Sequence, residues 1–373
     1  MEVKRDIKGL LFFLAVIIAL VTMQWQIWLG DKLTIIHACY VLFLFGSFLF
    51  FRDIARYKVS TAFAFVSLAF SSAGVSYLKQ HSSIISAFLI PWIALSALKY
   101  LRFKHPKFIF YIIIMIGVNI PCYYSIFSGA AVSANPPTAD FLTLLTPYWF
   151  ILHFIDSEYM SASFLYIGLI PLLFAVTGAC LSKDRHRPAF IFAVLLIIFL
   201  MLAFHIYQIA ILFIFCLTYF VCMGFDVIFD SVHKKRTGYY RTFLVLSIII
   251  ISAISISVNY SLFDSFFNTT DRYVVMGGLV IDFYSIAVGA VSASNLNILL
   301  FIAGSIIILY VLRQEKMNLR LKYFAIICFI IADLLLFNFD IIKFITMPTG
   351  SPEDLSARGF VNNEGPKTYE INR

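Results

Sequence analysis

Residues 189–229 read AFIFAVLLIIFLMLAFHIYQIAILFIFCLTYFVCMGFDVIF, 41 residues broken near their middle by His205, Tyr207 and Gln208. A single helix of that length would be about 61 Å long at 1.5 Å per residue, roughly twice the hydrocarbon thickness of a bilayer. Two antiparallel helices joined at the polar break fit the bilayer instead. They also return Lys234 to the side on which Arg187 starts, and cations of short loops collect on one side of a membrane. The stretch therefore predicts two consecutive membrane spans.

The same pattern extends outward in both directions. Apolar windows fall near 9–29, 33–51, 59–78, 82–98, 108–127, 163–181, 189–205, 209–229, 243–260, 295–312 and 323–339. Hydrocarbon offers no partner to backbone N–H and C=O groups, so continuous apolar runs of this length are read as helices. Of the 373 residues, 61% are hydrophobic and 13% charged, against roughly 45–50% and about 25% in soluble domains. A water-soluble enzyme, a DNA-binding domain and a disordered regulator are set aside on that ground, and no nucleic-acid partner is expected. The N-terminal cations Lys4, Arg5 and Lys8 precede an apolar run too long for a signal peptide, so an uncleaved first span is expected.

With the N-terminus inside, the inner segments hold Lys4, Arg5, Lys8; Arg52, Arg56, Lys58; Lys99, Arg102, Lys104, Lys107; Lys183, Arg185, Arg187; Lys234, Lys235, Arg236, Arg241; and Arg313, Lys316, Arg320, Lys322. These are 21 of the 28 cations, while the outer loops hold only Lys32, Lys79 and Arg272. The net charge of +8 thus marks one membrane face rather than an anionic partner. The expectation is an all-α polytopic membrane protein of about eleven spans, N-terminus inside and C-terminus outside. Residues 1–339 form one helical membrane domain and 340–373 an extracytoplasmic polar tail. Residues 274–293, with Asp282 and several small residues, are expected as an interfacial helix on the outer face, because an extra crossing there would move Arg313 to Lys322 outside.

The long connections, 128–162 and 261–294, then lie outside. The first carries Asp140, Asp156 and Glu158 and no Lys or Arg, so these acids are the candidates for acid–base work. Asp333, in the last span, is an ionisable group at membrane depth, which is costly and marks a functional or pairing site. Asp226 lies near the inner end of its span, within reach of the interface close to Lys234 or Lys235. Pro91 and Pro121 put kinks inside spans. The six cysteines fall in apolar runs with no CxxC pair, and no His or Cys set has metal-ligand spacing.

Several strings resemble a known family. Thr138-Ala-Asp-Phe-Leu-Thr-Leu-Leu-Thr-Pro147 with its following aromatics, Tyr166-Ile-Gly-Leu-Ile-Pro-Leu-Leu-Phe-Ala175, Tyr219 to Phe229, and Ala332-Asp333-Leu-Leu-Leu-Phe-Asn338 resemble, in order and spacing, the YfhO-like bacterial membrane proteins. The resemblance covers roughly residues 120–340 and is that of a shortened or diverged relative. It departs in the first outer loop, here only about Gly30 to Lys32 with Asp31 its single acid. The resemblance implies a GT-C glycosyltransferase architecture in the bacterial cytoplasmic membrane. It further implies a polyprenyl-phosphate sugar donor, membrane lipids and a lipid-linked sugar as partners, and a divalent metal as an optional helper. Asp140, Asp156 and Glu158 would be the catalytic acids, and Arg272 and Lys79 would hold the donor phosphate. Two other readings stay open. One is a transporter or lipid-flipping protein with Asp333, Pro91 and Pro121 along its path; the other is a non-catalytic assembly subunit.

Overall fold

The computed structural model describes residues 2–23, 35–71, 87–128, 166–204, 210–233, 237–269, 273–276, 279–314 and 317–345. Among them are eleven helices, one on each apolar window: α1 (Glu2–Met23), α2 (Ile35–Ile54), α3 (Lys58–Ala69), α4 (Ile90–Phe103), α5 (Lys107–Ser128), α6 (Leu169–Leu181), α7 (Arg187–Phe204), α8 (Ala210–His233), α9 (Thr237–Thr269), α10 (Phe283–Arg313) and α11 (Leu319–Ile345). Three carry stretches long and apolar enough to cross a membrane: His37–Ile54, Ile211–Ser231 and Tyr240–Val258. The chain is a helical membrane protein. The two helices read in residues 189–229 fold back on each other, since Phe190 of α7 lies 3.8 Å from Tyr219 of α8; residues 205–209, where the break is read, lie outside the described residues.

The outer segment after α9 is built differently from the sequence expectation. The loop expected over 261–294 starts as helix, because α9 runs on to Thr269. Of the interfacial helix expected over 274–293, the described residues up to Asp282 form instead an antiparallel pair, β1 (Tyr273–Met276) and β2 (Leu279–Asp282), while 283–293 are helical as the start of α10. The register pairs Val274 with Ile281 and Val275 with Val280. β-Branched residues suit a pleated pair, and only Gly277 and Gly278 separate the strands in sequence, a dipeptide favoured in two-residue hairpins. The 31 residues of α10 extend about 46 Å, well beyond a single hydrocarbon crossing. Likewise α11 continues to Ile345, so the first residues assigned to the polar tail are helical.

α8 is the central element, and its contact with α6 is the most extensive pairing among the described residues. Lipid tails are as apolar as leucine, so helix association in a membrane relies on close packing and polar contacts rather than on hydrophobic burial. Gly178 of α6 and Gly224 of α8 let the two backbones touch. A Cβ at Gly178 would lie 2.0 Å from the Phe220 carbonyl oxygen, and one at Gly224 would lie 2.0 Å from that of Phe174. Beside Gly224, Phe225 is sandwiched between Phe63 of α3 (3.7 Å between centroids, 8° between planes) and Phe174 of α6 (3.8 Å, 19°). Phe190 of α7 stacks on Tyr219 at 3.8 Å. A second aromatic cluster, Phe12, Phe13, Phe48 and Phe65, ties α1 to α2 and α3. Much of the unusual phenylalanine content (41 residues) is thus used as interhelical filling.

Candidate functional site

Two polar constellations interrupt this apolar packing, one at each end of α6. The first is built around Asp333 of α11. The chain approaches α6 through the non-helical residues Tyr166, Ile167 and Gly168, with Tyr166 and Ile167 fully buried. Gly168 has φ +93°, a left-handed conformation that side chains strain to adopt, and a Cβ there would meet Asp333 Oδ2 at 2.9 Å. Without a side chain at 168 the carboxylate reaches the open helix end. The Ile170 N–H donates to Oδ2 at 3.1 Å and the Tyr166 hydroxyl donates to Oδ1 at 2.7 Å. Asn297 of α10 completes the chain by donating from Nδ2 to the Tyr166 hydroxyl at 2.8 Å. The first N–H groups of a helix have no intrahelical acceptor and its N-terminus is electropositive, so a carboxylate there satisfies both demands.

Asp333 is 3% exposed, and its contacts link α11 to the start of α6 and, through Tyr166, to α10. Of the two roles read from the sequence, functional or pairing, the contacts are those of pairing. Tyr166 and Asn297 were not singled out by sequence reasoning. Tyr166 opens a quoted string, but nothing along the chain announces a partner 167 residues away.

The second constellation lies at the opposite end of α6, about 20 Å away by the rise of its thirteen residues. Lys234 and Lys235, near which the sequence places Asp226 of α8, lie outside the described residues. In the described residues Asp226 caps the start of α3. It accepts from the backbone N–H of Arg56 at 2.8 Å, from that of Tyr57 at 3.2 Å and from the Ser60 hydroxyl at 2.6 Å. One turn on, Asp230 forms an ion pair with Arg56 at 2.7 Å. Desolvation, followed by the nearby Asp230 and Asp226 carboxylates, pushes the Tyr57 hydroxyl above its usual range against the pull of Arg56. Asp184, between α6 and α7, accepts from the Tyr219 hydroxyl and from the His186 N–H, while Arg187 donates to the carbonyls of Ser182 and Cys180 that end α6.

Arg56, Asp184, Asp226 and Asp230 line a cavity of about 440 Å³ together with Ile54, Leu181, Lys183, Met223, Val227, Ser231 and Tyr240. Its volume is in the range of clefts that accept small ligands, roughly 300–1,000 Å³. Arg102, in the last turn of α4, pairs with Asp53 at the end of α2 at 3.2 Å, and Tyr323 at the start of α11 packs on Phe229 at 4.5 Å. Cation-bearing connections that are far apart in sequence therefore meet at one end of the bundle.

Asp140, Asp156 and Glu158, and with them Lys79 and Arg272, lie outside the described residues. Of the six residues assigned from the sequence to catalysis, the donor phosphate or the membrane interior, only Asp333 is described. Among the described residues no group of three or more His, Cys, Asp or Glu side chains could hold a metal ion. No family model, curated protein or solved structure matches this chain.

Proposed function

We propose that the chain is a multi-pass protein of the bacterial cytoplasmic membrane, with about eleven spans and its N-terminus inside, that transfers a sugar from a polyprenyl-phosphate donor to a surface glycan or lipid. The observation that carries the reading is the meeting of cation-bearing connections at one end of the helices. If that end is cytoplasmic, the other face has few cations and carries Asp140, Asp156 and Glu158 as acids for transfer, with Arg272 and Lys79 for the donor phosphate. A second support is that two strings of the YfhO-like resemblance interlock, since Tyr166 and Ile170 of one hold Asp333 of the other. The test is Asp140→Asn and Asp156→Asn in the native host, followed by envelope glycan analysis. Loss of a surface sugar with build-up of the lipid-linked donor is expected. Unchanged glycans in both variants at normal protein levels would remove the acids from the reaction.

The burial of Asp333 favours a second reading over transport. Asp333 and Asp226 both serve as helix caps, an arrangement suited to a non-catalytic assembly subunit, whereas a transporter or lipid-flipping protein would need Asp333 open to its path.

A further inference from the structure

The turn from α4 into α5 places Lys99, Arg102, Lys104 and Lys107 within nine residues. Arg102 is committed to Asp53, donating to its carboxylate and to its carbonyl. Lys104 and Lys107 are exposed, and neither forms an ion pair among the described residues. Their ammonium groups lie instead over the rings of Tyr100 (5.5 Å) and Phe108 (5.2 Å). Lys104 also stands out by its backbone. Its N–H closes α4 on the Tyr100 carbonyl at 2.7 Å, and at φ 54° it is the one non-glycine residue with positive φ among the described residues. Glycine is the ordinary choice at such a helix end, because a Cβ is disfavoured there. A lysine standing where glycine fits better points to use of its side chain.

The charge continues into an apolar strip on the same face of α5. Lys107, Tyr111, Ile114 and Val118 recur at i, i+4, i+7 and i+11, one stripe of a helix, and all four are exposed. Phe108, Ile112 and Met115 form the half-buried stripe, where Phe108 meets Phe103 of α4. A cation, then a tyrosine, then aliphatic side chains match a phospholipid read from its phosphate through the interface to its acyl chains. Lys104 and Lys107 have Cα atoms at most about 11 Å apart, so both side chains can reach one phosphate. Asp53, the only carboxylate paired with a cation of this turn among the described residues, is taken by Arg102, which leaves no partner for a headgroup ammonium. The charged side chains of residues 1–8, 234–236, 315, 316 and 320, adjoining helix ends on this side of the bundle, number eight cations against three acids, so on balance they add positive charge. We infer that the α4–α5 turn holds an anionic glycerophospholipid of the adjacent leaflet, its phosphate on Lys104 and Lys107 and an acyl chain along Tyr111, Ile114 and Val118. The inference does not rest on sugar transfer, only on the protein's being in a membrane.

The test uses the full chain purified in mild detergent, with lipid retention read by native mass spectrometry. Phosphatidylglycerol and phosphatidylethanolamine of equal chain length are added separately. Retention of phosphatidylglycerol about fivefold or more above that of phosphatidylethanolamine is expected, and Lys107→Gln and Lys104→Gly should each lower it by about fivefold, the scale of one cation near an anionic lipid surface. Lys104→Gly should do so without lowering the melting temperature, because glycine relieves the left-handed backbone. Lys183→Gln removes the same charge from another exposed connection at this end and should leave retention unchanged. Equal retention of the two lipids, full retention by Lys107→Gln or Lys104→Gly, or an equal loss with Lys183→Gln would overturn the inference. Displacement by water-soluble glycerophosphoglycerol at equal concentration would assign the turn to a soluble phosphate and overturn the lipid assignment.

Discussion

Replacing Asp333 by alanine removes the acceptor for the Tyr166 hydroxyl and for the Ile170 N–H at the start of α6. Both residues are essentially inaccessible, Tyr166 at 0% and Ile170 at 1%, so no solvent replaces the lost oxygens. An orphaned buried donor costs about 1–3 kcal/mol, which puts the two together at about 2–6 kcal/mol. That is a large share of a typical folding stability of about 5–15 kcal/mol. Asp333→Asn keeps one acceptor oxygen but turns an amide NH₂ toward another donor, so it should fall between the parent and alanine. Tyr166→Phe should cost about 1–3 kcal/mol, because Asn297 loses the hydroxyl to which it donates. The double variant should cost less than the sum of the singles, with a coupling of about 0.5–3 kcal/mol expected for contacting groups. The assay is denaturant unfolding in mixed micelles, followed by tryptophan fluorescence. An Asp333→Ala protein within about 0.5 kcal/mol of the parent, the range of an ordinary surface change, would refute the assignment of Asp333 as the cap that holds α6.

Further outcomes follow from the packing. Gly178→Ala sets a methyl group 2.0 Å from the Phe220 carbonyl oxygen, where only movement of a whole helix relieves the clash, so a loss at or above the usual overpacking cost of about 1–3 kcal/mol is expected. Gly117→Ala, with nothing within 4 Å of the new Cβ, is its neutral control in the same unfolding assay. Asp226→Ala should lower the melting temperature by less than Asp333→Ala does, because Arg56 is exposed and water can take over part of the cap. Arg102→Ala breaks an ion pair whose side chains are 46% and 24% exposed and should change stability by less than about 1 kcal/mol.

Helix existence was legible in the sequence because each apolar run is bounded by charges or turn residues, and backbone groups in hydrocarbon have no alternative to helix. Helix ends were less legible. The window expected over 59–78 yields a helix that stops at Ala69, and α9 and α10 overrun their windows into segments polar enough to read as loop. The β1–β2 pair was missed because four β-branched residues beside small ones also satisfy an interfacial helix pattern. At the polar sites, sequence flagged Asp333 by its cost at membrane depth and Asp226 as an acid at the inner end of its span. It did not supply their partners, since Tyr166, Asn297, Arg56 and Ser60 lie 36 to 170 residues away and short-range spacing carries no information about them. The cavity beside Asp230 and Lys183 was passed over for a related reason. Short charged connections were read as membrane-side markers, and only the fold brings them around one space.

The central claim, that the cation-bearing end faces the cytoplasm and the 128–162 segment faces outward, is tested most directly by single-cysteine labelling in intact cells. In a background freed of the six native cysteines, Lys183→Cys and Asp140→Cys are each exposed to a membrane-impermeant maleimide before and after permeabilisation. Labelling of Asp140→Cys in intact cells, with Lys183→Cys labelled only after permeabilisation, is the predicted result. Labelling of Lys183→Cys in intact cells, or protection of Asp140→Cys until permeabilisation, would contradict the orientation and with it the outer-face chemistry.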